Sequence, residues 1–133
     1  MEAHLLIEKY YNAFNQGDMT TFLALLSDDV IHDINQGERQ IGKQVFTKFM
    51  EKMNFHYKEQ LININIMTNK QGDRAAAEFI VLGEYLQTDE GLPQANGQKY
   101  RLPAGAFFEI GEGKITRVTN YYNLQDWIDQ VTQ

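Results

Sequence analysis

The chain contains no cysteine, which excludes disulfide staples and thiolate chemistry and leaves the redox compartment unconstrained. It is also short of positive charge: 12 Lys and Arg stand against 18 Asp and Glu, a net charge of −6. A nucleic-acid surface needs clustered Lys and Arg, so no nucleic-acid partner is expected, and an anionic membrane surface is equally disfavoured. Long apolar runs are missing. The stretch behind Met1-Glu2-Ala3-His4 is broken by Glu8 and Lys9, so neither a signal peptide nor a membrane span is expected, and a cytoplasmic location is the default. His4, His32 and His56 are scattered, with no His-Glu spacing of the metalloprotease kind, so no metal site is expected. There is no glycine-rich phosphate loop, internal repeat or low-complexity tract.

What is present describes an ordered domain. The 133 residues, 43% hydrophobic and 12% aromatic, suffice to bury a core. Leu6, Tyr10 and Phe14 at four-residue spacing predict an amphipathic helix from about Glu2 to Asn15, ended by Gly17. Asp18 reads as the N-cap of a short second helix carrying Phe22, Leu23, Leu25 and Leu26, closed by Ser27-Asp28-Asp29. Val30 to Asn35 and Arg39 to Ile41 read as short strands. Lys43 to Tyr57 returns to helical period through Val45, Phe46, Phe49, Met50 and Met53, with Lys43, Lys48, Lys52 and Lys58 around its solvated side. Four strands follow: Glu59 to Thr68, Arg74 to Gln87, Gln98 to Ile110 and Lys114 to Asn123. Their connections are turns at Asn69–Asp73 and Gly111–Gly113 and a polar loop, Thr88 to Gly97, expected as a lid. Leu124 to Val131 reads as a closing helix. Helices first and strands afterwards mean α+β. The five methionines read as core filler.

Asp33 is the residue most out of place. Asp and Asn are depleted in strands, yet His32, Asp33 and Asn35 stand among apolar residues of the first strand. An acid facing an apolar pocket is a candidate proton-transfer base.

The order of elements resembles the ketosteroid isomerase and SnoaL-like cyclase group of the nuclear transport factor 2-like superfamily. The resemblance covers nearly the whole chain, so residues 1–133 read as one SnoaL-like domain. It is carried by Tyr10 before Gly17-Asp18, by Leu26-Ser27-Asp28-Asp29-Val30 and His32-Asp33, by Ile41-Gly42, and by Gly113-Lys114-Ile115 leading to Asn120-Tyr121-Tyr122. Asp33-Ile34-Asn35-Gln36-Gly37 and Leu102-Pro103-Ala104-Gly105-Ala106-Phe107-Phe108-Glu109 look closest to the ketosteroid isomerase-related branch. The fold implied is cystatin-like: a cone-shaped, curved antiparallel sheet roofed by three N-terminal helices, with a short C-terminal helix. Such proteins are often dimers through the outer face of the sheet.

The resemblance also implies roles. Asp33 falls at the place of the general base and Tyr10 at that of a donor to the developing oxyanion. Gly105 falls where a second, acidic donor would be, so half of that hole is lost, at roughly 10²–10³ in rate.

If Gly105 points inward, alternation sends Arg101, Pro103 and Phe107 inward as well. The same bookkeeping turns in Thr116, Val118, Asn120 and Tyr122, and Ala76, Glu78, Ile80, Leu82 and Glu84. Ala75, Ala77, Phe79 and Val81 then face out, an apolar outer surface best covered by a second copy of the chain. Glu78 becomes an inward carboxylate, paired with Arg101 or acting as an acid.

The expected catalytic set is thus Asp33, Tyr10 and Glu78, and the ligand-binding set Asn35, Arg101, Phe107, Val118, Asn120 and Tyr122. The expected ligand is a small, largely apolar organic molecule. The expected chemistry is cofactor-independent isomerisation or cyclisation, by proton transfer from a carbon next to a carbonyl. A non-catalytic ligand-binding or dimerisation module, or an epoxide-hydrolase-like enzyme, are the alternatives.

Overall fold

The computed structural model describes residues 1–133. Helix α1 (Ala3–Gln16) starts where the Glu2 carboxylate accepts from the backbone N–H groups of His4 and Leu5, and ends where Gly17 adopts the left-handed conformation that glycine tolerates best. Its buried residues, among them Leu6, Ile7, Tyr10 and Tyr11, are those its period nominates. The Asp18 side chain caps α2 (Met19–Ala24) by accepting from Thr21 N–H. Then come β1 (Leu26–Asp33), β2 (Arg39–Ile41), α3 (Lys43–His56), β3 (Tyr57–Thr68), β4 (Arg74–Tyr85), β5 (Lys99–Gly111), β6 (Lys114–Tyr122) and α4 (Leu124–Val131). Strand β1 begins earlier than its composition suggests, because Asp28 and Asp29 are strand residues on its exposed stretch.

The six strands form one curved sheet in the order β2-β1-β6-β5-β4-β3. It is not wholly antiparallel: β1 lies parallel to β6, with His32 opposite Val118 and Asp33 opposite Thr119. Strand β3 is one edge. At Leu61 that edge is closed by a side chain of α1: Asn15 Nδ2 donates to the Leu61 carbonyl and Asn15 Oδ1 accepts from the Leu61 N–H, each at 2.9 Å. This satisfies the edge groups of that residue and fixes the end of α1 against β3. No helix is long and apolar enough to cross a membrane.

The helices cover one face. Pointing into that covered face are Ala75, Ala77, Phe79 and Val81 of β4 and Tyr100, Leu102, Ala106 and Phe108 of β5, all buried. These are the residues that the family place of Gly105 would have sent outward, so the inward sets expected on β4 and β5 are reversed. The physical reason is visible in the two alternating sets of β5. One reads Tyr-Leu-Ala-Ala-Phe, the other Lys-Arg-Pro-Gly-Phe-Glu, and the more apolar set wins the core. On β6 the expectation holds, since Val118 and Asn120 lie opposite Phe108 and Ala106. Antiparallel partners share a face, so the two inward sets first drawn for β5 and β6 were mutually exclusive.

Candidate active site

A cavity of about 750 Å³ opens between the end of α1, the start of α2, the inner side of α3 and the β3–β5 part of the sheet. Phe14, Met19, Met50 and Met53 form its apolar wall, and Tyr57, Glu59 and Tyr100 face them from the sheet. Three of the five methionines line the cavity and belong to the core as well, Met50 within it and Met19 and Met53 packed against it, a double use that suits their flexible, polarisable side chains.

Two carboxylates, Glu59 and Glu84, line this cavity, and Glu59 is the one that a tyrosine holds. The Tyr100 hydroxyl donates to Glu59 Oε2 at 2.5 Å. Burial pushes the Glu59 carboxyl above its ordinary value, while the Tyr100 bond pulls the other way and only partly offsets it. Burial, with the Glu59 charge adding to it, pushes Tyr100 well above the usual tyrosine value, so its proton stays on the phenol and the hydroxyl remains a donor. Trp127 of α4 sits edge-on to Tyr100, ring centres 6.0 Å apart.

The neighbouring Tyr57 hydroxyl donates to Asp89 Oδ2 at 2.9 Å. Asp89 belongs to the 88–97 loop, whose other ties are Tyr85 O–H to the Pro93 carbonyl and Ala95 N–H to Thr88 Oγ1. His56 Nδ1–H donates to the Gln87 carbonyl, and its Nε2 stands 3.8 Å from Asp89 Oδ1. The 88–97 loop, expected as a lid, is tied to the sheet beside the cavity by these bonds.

Of the residues nominated from sequence, Tyr122 reaches this site: burial raises its phenol, with the Glu59 and Asp89 charges adding to it, while Asp33, Tyr10 and Glu78 lie elsewhere. Asp33 lies on the uncovered face. Arg39 Nε donates to its Oδ1 at 2.6 Å and Thr119 Oγ1 to its Oδ2 at 2.7 Å. The Arg39 hydrogen bond, helped by Thr119, holds the Asp33 carboxyl below the ordinary aspartate value. The same chain of bonds runs on through Arg117 to Glu109 and Arg74. Its neighbour His32 points inward instead, stacked on Phe46 with ring centres 4.3 Å apart. Tyr10 is buried under α2, stacked on Phe22 at 4.4 Å, and burial raises its phenol well above the usual value. Asp33 and Tyr10 are therefore separated by the sheet.

Glu78 is exposed, in register with Gly105 and Asn65 on the uncovered face. Arg101 is in register with Leu82 rather than with Glu78, so the proposed Glu78–Arg101 pair does not form. Phe107 is half exposed on that same face, edge-on to Tyr121. Val118 is core. Asn120 and Tyr122 share the covered face with it, and Asn35 Nδ2 donates to the Tyr122 carbonyl at 3.3 Å. Asn35 and Tyr122 are the one nominated pair that the fold brings together.

Glu59, Tyr100 and Gly83 were not nominated. The available signal was the apolar alternation of Tyr100, Leu102, Ala104, Ala106 and Phe108 on β5, which turns Tyr100 inward. Carried across Gly83 of β4, that alternation turns Glu59 inward on β3.

The helix-roofed, unclosed sheet enclosing this cavity is the nuclear transport factor 2-like fold. It is shared with a protein of that class from Burkholderia pseudomallei K96243, 16% identical over 100% of this chain and 99% of that one, TM-score 0.84. The SnoaL-like domain family matches residues 7–118, and the chain belongs to that family. It is similar to a candidate polyketide cyclase of Pseudomonas putida KT2440, with 67% identity, 98% of each chain covered and TM-score 0.97. It is also similar to a candidate polyketide cyclase of Xanthomonas campestris pv. campestris, with 56% identity, 97% and 96% covered and TM-score 0.94. No curated protein matches the sequence.

Proposed function

We propose that this SnoaL-like protein binds a small, largely apolar carbonyl compound in the methionine-walled cavity and moves a proton on it, as an isomerase or cyclase would. The observation that carries the reading is Glu59: a buried carboxyl of raised pKa, held by a tyrosine hydroxyl, in a cavity with one apolar wall of Phe14 and three methionines. A carboxylate in such a setting is a stronger base than one in water. In its ionised form Glu59 takes the proton from a carbon next to the carbonyl. The C–H electron pair moves into the carbonyl to give an enolate. Glu59 then returns the proton at another carbon, which is isomerisation, or the enolate carbon attacks a second carbonyl and closes a ring, the carbonyl π pair goes to its oxygen, and Glu59 gives its proton to the alkoxide so formed. Gln16 and Asn54 line the mouth and supply amide donors for the enolate oxygen. Such a transfer needs no group beyond these side chains. The cyclase descriptions of the two close relatives agree with this reading, and a second copy of the chain covering the uncovered sheet face completes it.

An epoxide-hydrolase-like enzyme is less well supported. No arginine lines the cavity, and the arginine–carboxylate network of the chain lies on the opposite face of the sheet.

The test is deuterium uptake from solvent into the α-position of 2-tetralone at neutral pH, followed by proton NMR. The expected result is uptake above the buffer rate, lost in Glu59→Gln and kept in Asp33→Asn. Uptake that survives Glu59→Gln unchanged removes Glu59 from the role.

A further inference from the structure

Glu59, Gly83 and Tyr100 form one row across three strands: Glu59 of β3 is opposite Gly83 of β4, and Gly83 is opposite Tyr100 of β5. Neighbouring strands lie about 4.8 Å apart, so the backbones of Glu59 and Tyr100 stand roughly 10 Å apart, with β4 between them. Side chains ordinarily rise perpendicular to a sheet. The phenol nevertheless reaches the carboxylate at 2.5 Å. To do so, the Tyr100 ring lies down across the middle strand.

Gly83 makes that posture possible. A Cβ built there would fall into the Tyr100 ring, against Cζ, Cε2 and Oη. Its backbone asks for nothing special, because Gly83 is not among the glycines with positive φ. Glycine is required at this position for space and not for conformation, which is uncommon in a strand interior, where it weakens the sheet.

We infer that Gly83 is a positioning residue of the Glu59 site, a gap in the sheet that lets a tyrosine two strands away hydrogen-bond the carboxylate from the floor of the cavity. The inference deepens the reading of Glu59 as the proton-transfer group, but its test does not depend on turnover. With Oε2 committed to Tyr100, the other oxygen, Oε1, has no partner within the chain and is the one left to accept a proton. Any side chain at position 83 stands the ring up, breaks the bond and leaves Glu59 buried without its donor.

The experiment is a carbon-detected NMR titration of the Glu59 carboxyl in the wild type, Tyr100→Phe, Gly83→Ala and the double variant. Both single variants are expected to move the Glu59 midpoint upward, and the double variant no further than either, because each removes the same bond. Deuterium uptake should fall about tenfold in both, the loss of one charge-assisted hydrogen bond. A Glu59 midpoint unmoved by Gly83→Ala, or additive shifts in the double variant, would overturn the inference. A midpoint that moves in a protein with no uptake would leave it standing and remove the enzymatic reading instead. Should Gly83→Ala fold poorly, thermal unfolding decides. The substitution is expected to be harmless in a Tyr100→Ala background, where the ring is gone. Equal destabilisation in both backgrounds would count against it.

Discussion

The two faces of this sheet treat a carboxylate in opposite ways. Asp33, on the uncovered face, takes two hydrogen bonds from Arg39 and one from Thr119 and is held below its ordinary pKa. Glu59, under the helices, has one neutral donor and an apolar wall, and it is pushed above its ordinary pKa. The acid that looks conspicuous in the sequence is the weaker base, stabilised as an anion by the Arg39 guanidinium. Basicity follows from what surrounds the carboxyl, and an arginine six residues away, across the β1–β2 turn, outweighs strand position. The largest way to break this comparison is to remove each acid in turn. Glu59→Gln should cost about 10²-fold or more in deuterium uptake, the usual worth of a general base, while Asp33→Asn should change uptake less than about threefold, as for a residue outside the site.

The contrast also explains which parts of the molecule were legible in the sequence. Helices α1, α2 and α4 could be read because their apolar periods and caps, Gly17 and Asp18 among them, are local features. The hairpin turns were equally local. The face of each strand is a different matter, since it depends on a parity that one wrong anchor inverts along a whole strand. Taking Gly105 as inward on β5 inverts that strand and its neighbour, so Glu78, Arg101 and Phe107, expected inside, stand on the uncovered face. Glu59 was hidden for a further reason. Its donor is 41 positions away and reaches it across an intervening strand, so no spacing in the sequence announces the pair.

A second, smaller difference between the faces lies in adjacent residues. His32 is turned inward beside the outward Asp33. Burial lowers its pKa from 6.5 to about 4, with the Asp33 charge opposing, and its Nδ1 has no hydrogen-bond partner. The unfolded chain therefore binds a proton at this site before the folded protein does. The contribution of His32 is complete above pH 6.5 and is lost as the pH falls toward 4, the loss reaching about 2 kcal/mol by pH 5. Glu59 slopes the other way: its raised carboxyl favours the folded state at low pH and loses that contribution as the pH rises through its folded-state value. Urea unfolding of the wild type and His32→Phe between pH 4 and 7 separates the two. The variant is expected to lack the acid-side loss attributable to His32. Parallel curves would mean that the imidazole is already protonated in the folded protein.

The uncovered face gives the smallest and most local test. Phe107 and Tyr121 meet edge-on there at 5.9 Å, 50% and 57% exposed, with Met67 and Leu82 also exposed on the same side. Beside this apolar patch, Arg39, Arg117 and Arg74 are already matched to Asp33 and Glu109. Matched charges flanking aromatic rings would suit the proposed contact with a second copy, whose centre would gain from losing water and whose charges would arrive satisfied. A two-fold partner using the same patch would place aromatic against aromatic, the residue class that dominates binding energy. Phe107→Ala should therefore weaken a dimer about tenfold, within the usual cost of truncating a contributing interface aromatic, and leave the Glu59 titration where it is, because the sheet stands between them. Light scattering across a micromolar dilution series measures the first and the carboxyl NMR signal the second. A monomer at every concentration in the wild type would remove the partner from this face, and a Glu59 midpoint that moves with Phe107→Ala would mean that the two faces are coupled through the sheet.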